Sequence, residues 1–274
     1  MRITKADALQ ASRFITPGIL FYMVLSLFLR SFGFSMSAVL FLFIVSAASA
    51  FWITNYKTLP IILGILLAMS SISFLLTIGE GAVQKYFIIF ASVLFSVAMI
   101  GLYRFFAPEE ERPPEEKVRF LDSGFNLNQT LVLFALFFLS SGIYGTYTIF
   151  NTPPWQMSLV MFVGIYLSGY YLIRINFLKS RELELHLDYY KNRSFNFYSL
   201  LLALAMIELV WALTFLPINH LTFGAIILAV FFSYWNIIRN YLRNELTRRK
   251  FIGAMLFAVM AVSMIIYTSK LFIN

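Results

Sequence analysis

The chain has 274 residues, of which 60% are apolar and only 12% charged, with a mean hydropathy of +0.80. A domain folded in water is about half apolar and about a quarter charged, so this composition excludes a soluble globular fold and makes lipid the solvent. The formal charge of +8 belongs to membrane topology rather than to nucleic acid, and the absence of cysteine excludes disulfides, thiolate metal sites and cysteine nucleophiles.

Nine apolar runs follow one another at 14–29, 35–54, 59–78, 86–106, 127–150, 156–175, 197–216, 221–238 and 251–273. They are continuous rather than alternating, which excludes a transmembrane β-barrel. The expected fold is an all-α polytopic transmembrane bundle of nine spans, N-terminus inside and C-terminus outside. With that orientation every Lys and Arg except Arg30, Lys85 and Lys270 falls on the inner side, as the positive-inside rule requires.

The first run follows a basic segment, a pattern shared with signal peptides. No convincing small-x-small site follows Leu29, so a retained helix is expected, with Pro17 near its first turn. Cleavage would leave eight spans in the same orientation. In the second run, Ser46-Ala47-Ala48-Ser49-Ala50 reads as a packing surface. An outer Gly79-Glu80-Gly81 turn joins runs three and four. Residues 107–126 open acidic and proline-rich, and Pro113-Pro114 interrupts any helix there. They read as a cytoplasmic linker between a four-span unit, 1–106, and a five-span unit, 127–274.

The small, polar stretch from Ser140 to Thr148 reads as a packing seam rather than a cavity lining. Tight turns at 151–154 and 217–220 make antiparallel hairpins of runs five and six, and of runs seven and eight. Between runs six and seven, Leu183, Leu185 and Leu187 alternate with Glu182, Glu184, His186 and Asp188. A lone strand has no sheet to join, so a cytoplasmic helical extension of run six near the headgroups is expected. Runs six and eight close alike, on Tyr171-Leu172-Ile173-Arg174-Ile175-Asn176 and Trp235-Asn236-Ile237-Ile238-Arg239-Asn240. A duplicated hairpin explains this, and so does the common preference of membrane exits for aromatics and arginine, which is the stronger explanation. The basic stretch from Arg239 to Lys250 suits a grip on anionic lipid headgroups, but topology anchoring is the simpler expectation.

Of 13 acidic residues, Glu208 alone lies inside an apolar run, near its middle. A central acidic residue costs about 2.5–3.5 kcal/mol to insert, so compensation is expected. Leu201, Leu204, Ala205, Trp211, Ala212 and Phe215 share its helix face. Because Ala205 and Ala212 are small, this face is expected to press against another helix, away from lipid, with Trp211 covering the carboxylate. Hydroxyls expected at a similar depth are Ser70, Ser71, Ser140, Ser141, Tyr166, Ser168 and Ser263. A neutral interhelical hydrogen bond and a proton, cation or substrate site explain Glu208 equally well.

The chain contains no phosphate-loop or dinucleotide fingerprint, no His-Glu-x-x-His and no Gly-x-Ser-x-Gly elbow. His186 and His220 fall on opposite sides of the membrane, so no metal, cofactor or enzymatic activity is expected. Glu208-x-x-Trp211-x-x-x-Phe215-Leu216-Pro217 resembles uncharacterised polytopic membrane proteins of candidate-phyla bacteria. That resemblance covers the last third of the chain and implies a bacterial cytoplasmic membrane, with no activity. The expected role is a non-catalytic subunit or scaffold of an envelope-associated complex, with lipid and other membrane proteins as partners. The alternative is a small transporter or lipid-handling protein using Glu208 in a midplane cavity.

Overall fold

In lipid a single apolar segment satisfies its own backbone only as a helix, and every described regular element here is α-helical. The computed structural model of the chain describes residues 5–30, 36–78, 81–106, 117–182 and 195–271. In chain order the helices are α1 (Lys5–Arg30), α2 (Met36–Ile53), α3 (Pro60–Leu75), α4 (Ala82–Phe106) and α5 (Lys117–Phe150). They continue as α6 (Pro154–Glu182), α7 (Phe195–Thr214), α8 (His220–Leu242) and α9 (Arg248–Leu271). Among the described residues, six helices, α4 to α9, are long and apolar enough to cross a membrane, and α1 to α3 contain shorter apolar stretches.

The turns follow local chemistry. Asn55, Asn151 and Asn244 take the left-handed backbone conformation that asparagine tolerates, and each stands just after or near a helix end. Pro60 and Pro154 open α3 and α6, where a missing N–H costs little. Asn219 caps α8, its side chain accepting a 2.7 Å hydrogen bond from the Thr222 N–H.

The helices form two compact units, residues 1–132 and 133–274, and the boundary falls inside α5. In the first unit α1 lies against α4 and α2, and α2 against α3. Phe21 stacks on Phe95 at 4.3 Å between α1 and α4. The Ser46–Ala50 stretch is a packing surface as its composition suggests. Ser46 and Ala50 are fully buried, and an added Cβ on Gly64 of α3 would meet the Ser46 carbonyl oxygen at 2.6 Å. The N-terminal part of α5 joins this unit through fully buried Asn128, whose amide donates to the Gly101 carbonyl at 3.1 Å.

In the second unit α6 pairs closely with α7, α8 with α9, and α7 with α8. The Ser140–Thr148 region is a packing seam over its inner part: Ser140 to Gly145 are buried, and Tyr144 stacks on Phe223 of α8 at 4.2 Å. Arg243 donates to the buried Asn176 at 2.7 Å, tying the C-terminal ends of α8 and α6.

Two expectations change, and a third is met as far as the described residues reach. Residues 117–126 are the start of α5 rather than linker, because α5 contains no proline and the sequence from Lys117 supports helix; residues 107–116 lie outside the described residues. Pro17 is well inside α1, which already begins at Lys5; it is buried in the first unit, and its ring leaves the Arg13 carbonyl without the usual intrahelical donor. The extension of run six continues as helix to Glu182, and its remainder, 183–194, lies outside the described residues.

Candidate functional site

Helix α7 has two contrasting faces. One carries Ser199, Leu202, Ala203, Met206, Val210 and Leu213, all buried in its unit. Gly169 of α6 makes this contact close: an added Cβ there would stand 3.0 Å from the Leu202 side chain. The Ser199 hydroxyl is turned back on its own helix and donates to the Phe195 carbonyl at 2.8 Å.

Glu208 stands on the other face and is exposed. This corrects the expectation that its face presses against a neighbouring helix. The residues sharing the face are assigned rightly, but the face points outward. Ala205 is half-buried and Ala212 exposed, so neither marks a close crossing; fully buried Ala203 and Gly169 do. Trp211 is exposed beside Glu208. Phe197, Leu201, Leu204, Trp211 and Phe215 leave between 44% and 80% of their surfaces open. Glu208 makes no hydrogen bond or ion pair among the described residues. Nothing in its own unit therefore offsets the cost of a carboxylate in an apolar span.

Among the described residues, none of the hydroxyls proposed by depth is hydrogen-bonded to it. Ser70 and Ser71 belong to the first unit and donate to the Leu67 carbonyl at 2.9 and 2.7 Å. Ser140 donates to the Leu136 carbonyl, and Ser168 to the Gly164 carbonyl at 2.7 Å. Ser141 is buried against Gly224, where an added Cβ would collide with its hydroxyl. Tyr166 is half-buried in a ladder with Phe162 and Tyr170. Back-bonding of the kind Ser70, Ser71, Ser140 and Ser168 make is the usual way a serine is accommodated in an apolar helix.

Two polar tie points escaped the sequence reading, Asn128 to Gly101 and Arg243 to Asn176. Their signal was an amide side chain at the edge of an apolar run, where it can equally face water. No cluster of three or more metal-binding side chains occurs among the described residues.

Residues 183–268 match a family model described as a protein of unknown function, DUF5656. The match takes in α7 and α8 and most of α9, and thus the whole outward face around Glu208. No curated protein and no solved structure matches the chain.

Proposed function

We propose that this chain is a nine-span protein of the bacterial cytoplasmic membrane, N-terminus inside. Its role is that of a non-catalytic subunit or scaffold of an envelope-associated complex. The observation that carries the reading is the outward stance of Glu208. A lipid-facing helix gains nothing from a central carboxylate and loses about 2.5–3.5 kcal/mol by it. A partner that supplies hydrogen bonds at that level removes the cost, so the α7 face is an attachment surface.

Transport through a midplane cavity is less well supported. It needs the carboxylate to face the interior of the bundle, whereas Glu208 is exposed and most of the depth-matched hydroxyls are bonded to their own helices.

The test is a photoreactive amino acid at Leu201 or Trp211, irradiated in native membranes. Protein adducts at both sites, with none at exposed Met260 of α9, are the expected result. Adducts to lipid alone would refute the attachment surface.

A further inference from the structure

The arginines at one end of the second unit are of two kinds. Arg248 and Arg249, at the start of α9, are exposed. Arg174 of α6 and Arg243, which caps α8, are half-buried and held in place. Arg174 donates from Nε to the Tyr170 hydroxyl at 3.1 Å. Its guanidinium lies 5.5 Å from the centre of the Tyr170 ring and 5.0 Å from that of Phe195 on α7. Arg243 donates from Nη2 to the Asn176 amide oxygen at 2.7 Å. Tyr198 of α7 and Tyr241 of α8, 5.9 Å apart, bring the third helix to the same place. All of these partners are neutral. Among the described residues neither guanidinium has a carboxylate partner, and Glu245 is bound to exposed Lys250 at 3.1 Å. A guanidinium is a permanent cation with five N–H donors, and most of them have no acceptor here among the described residues.

Helix length sets the depth of these groups. From exposed Trp155, in the first turn of α6, to Arg174 is about 29 Å at 1.5 Å per residue, the thickness of a hydrocarbon core. Arg174 therefore stands where the core gives way to headgroups, and Arg243, bonded to Asn176, stands roughly 3 Å further out. Tyr170, Phe195, Tyr198 and Tyr241 form the aromatic belt that suits this level. Positive charge that only sets topology needs neither burial nor fixed geometry, and Arg248 and Arg249 supply it from the surface.

We infer that the C-terminal ends of α6 and α8 bind the phosphate of an anionic phospholipid, with Arg174 and Arg243 as its donors. The planar fork of a guanidinium matches phosphate oxygens, and the bonds it makes to them are charge-assisted. Tyr170 and Asn176 hold the two forks before the ligand arrives, which lowers the ordering cost of binding. A lipid phosphate is the anion that the membrane itself supplies at this depth, and an anionic headgroup complements a cluster that Lys179 and Arg239 make more positive still.

The full chain in a neutral detergent is unfolded by heat while phosphatidylglycerol, phosphatidylcholine or inorganic phosphate is titrated in. Phosphatidylglycerol should raise the midpoint saturably, and the other two should not. Arg174→Gln and Arg243→Gln should each weaken the apparent affinity about tenfold. Arg248→Gln combined with Arg249→Gln removes two exposed charges and should change it no more than about twofold. Arg174→Lys keeps a point charge without the fork, so it should fall between the wild type and Arg174→Gln, and it serves if Arg174→Gln does not fold. Inorganic phosphate acting as well as phosphatidylglycerol would put a soluble anion in the lipid's place. An equal loss from the exposed pair would reduce the site to diffuse surface charge. If Arg174→Gln lowers the midpoint by the same amount with and without phosphatidylglycerol, a carboxylate of the chain itself, such as Glu184 or Asp188 between α6 and α7, neutralises the arginine. Each of these three results overturns the lipid site, as does a wild type whose midpoint phosphatidylglycerol leaves unmoved.

Discussion

Gly64→Ala is expected to destabilise the first unit by about 1–2 kcal/mol. The added methyl would sit 2.6 Å from the Ser46 carbonyl oxygen, 3.1 Å from its carbon and 3.5 Å from the Ala50 Cβ. The obstructing atoms are backbone, so α2 and α3 must move apart; no rotamer change relieves the clash. Overpacking of this kind costs about 1–3 kcal/mol, and the tight backbone contact puts it in the upper part of that range. Alanine returns about 1 kcal/mol through its better helix propensity. Gly253→Ala on α9 is the control: nothing lies within 4 Å of its added Cβ, so only the propensity gain remains and stability is unchanged or higher. Reversible unfolding in mixed micelles, titrated with a denaturing detergent, measures both. Ser46→Ala added to Gly64→Ala should restore nothing, because it leaves the carbonyl in place. Stability of Gly64→Ala equal to that of Gly253→Ala would refute the close α2–α3 approach.

Gly224→Ala is also expected to destabilise, but partly reversibly: its methyl collides first with the Ser141 hydroxyl, so Ser141→Ala should recover part of the loss in the same titration, with the Phe137 carbonyl oxygen at 2.9 Å limiting the recovery. Asn128→Leu removes a buried donor to the Gly101 carbonyl and should cost about 1 kcal/mol of first-unit stability, read by the same unfolding curves. Asn176→Ala should cost about 1.5–3 kcal/mol, since it deletes the acceptor of a hydrogen bond from the charged Arg243; a double-mutant cycle with Arg243→Ala measures the coupling. Reporters active only in the cytoplasm should give signal when fused after Lys57 or within 107–116, and none after Asn151 or Pro217; the reverse pattern at any site would break the nine-span topology.

The sequence alone determined the solvent and the class of fold. Long continuous apolar runs leave a backbone no choice but helix, and the nine helices among the described residues fall on the nine runs. Local chemistry placed several ends too: the proline openings of α3 and α6 and the asparagine cap of α8 act within a few residues of themselves. Packing surfaces made of small residues, at Ser46–Ala50 and Ser140–Gly145, were legible for a similar reason, since small side chains have little other use in a span. Glu208 was legible as an anomaly, and its face was assigned correctly by helical periodicity.

What the sequence left open was direction. In water the polar face of a helix points out, so periodicity gives orientation along with the face. In lipid both faces are apolar, and Leu201 and Leu202 are equally at home against acyl chains or against α6. Only tertiary packing decided between them, through the close approach of Gly169 to the Leu202 side of α7. That contact turned Ser199, Met206 and Val210 inward and left Phe197, Leu204 and Glu208 outside. The same limit explains the hydroxyls. Depth is readable from residue count, but a serine bonded to its own helix and a serine aimed at a carboxylate have the same sequence, and the position of the neighbouring helix separates them.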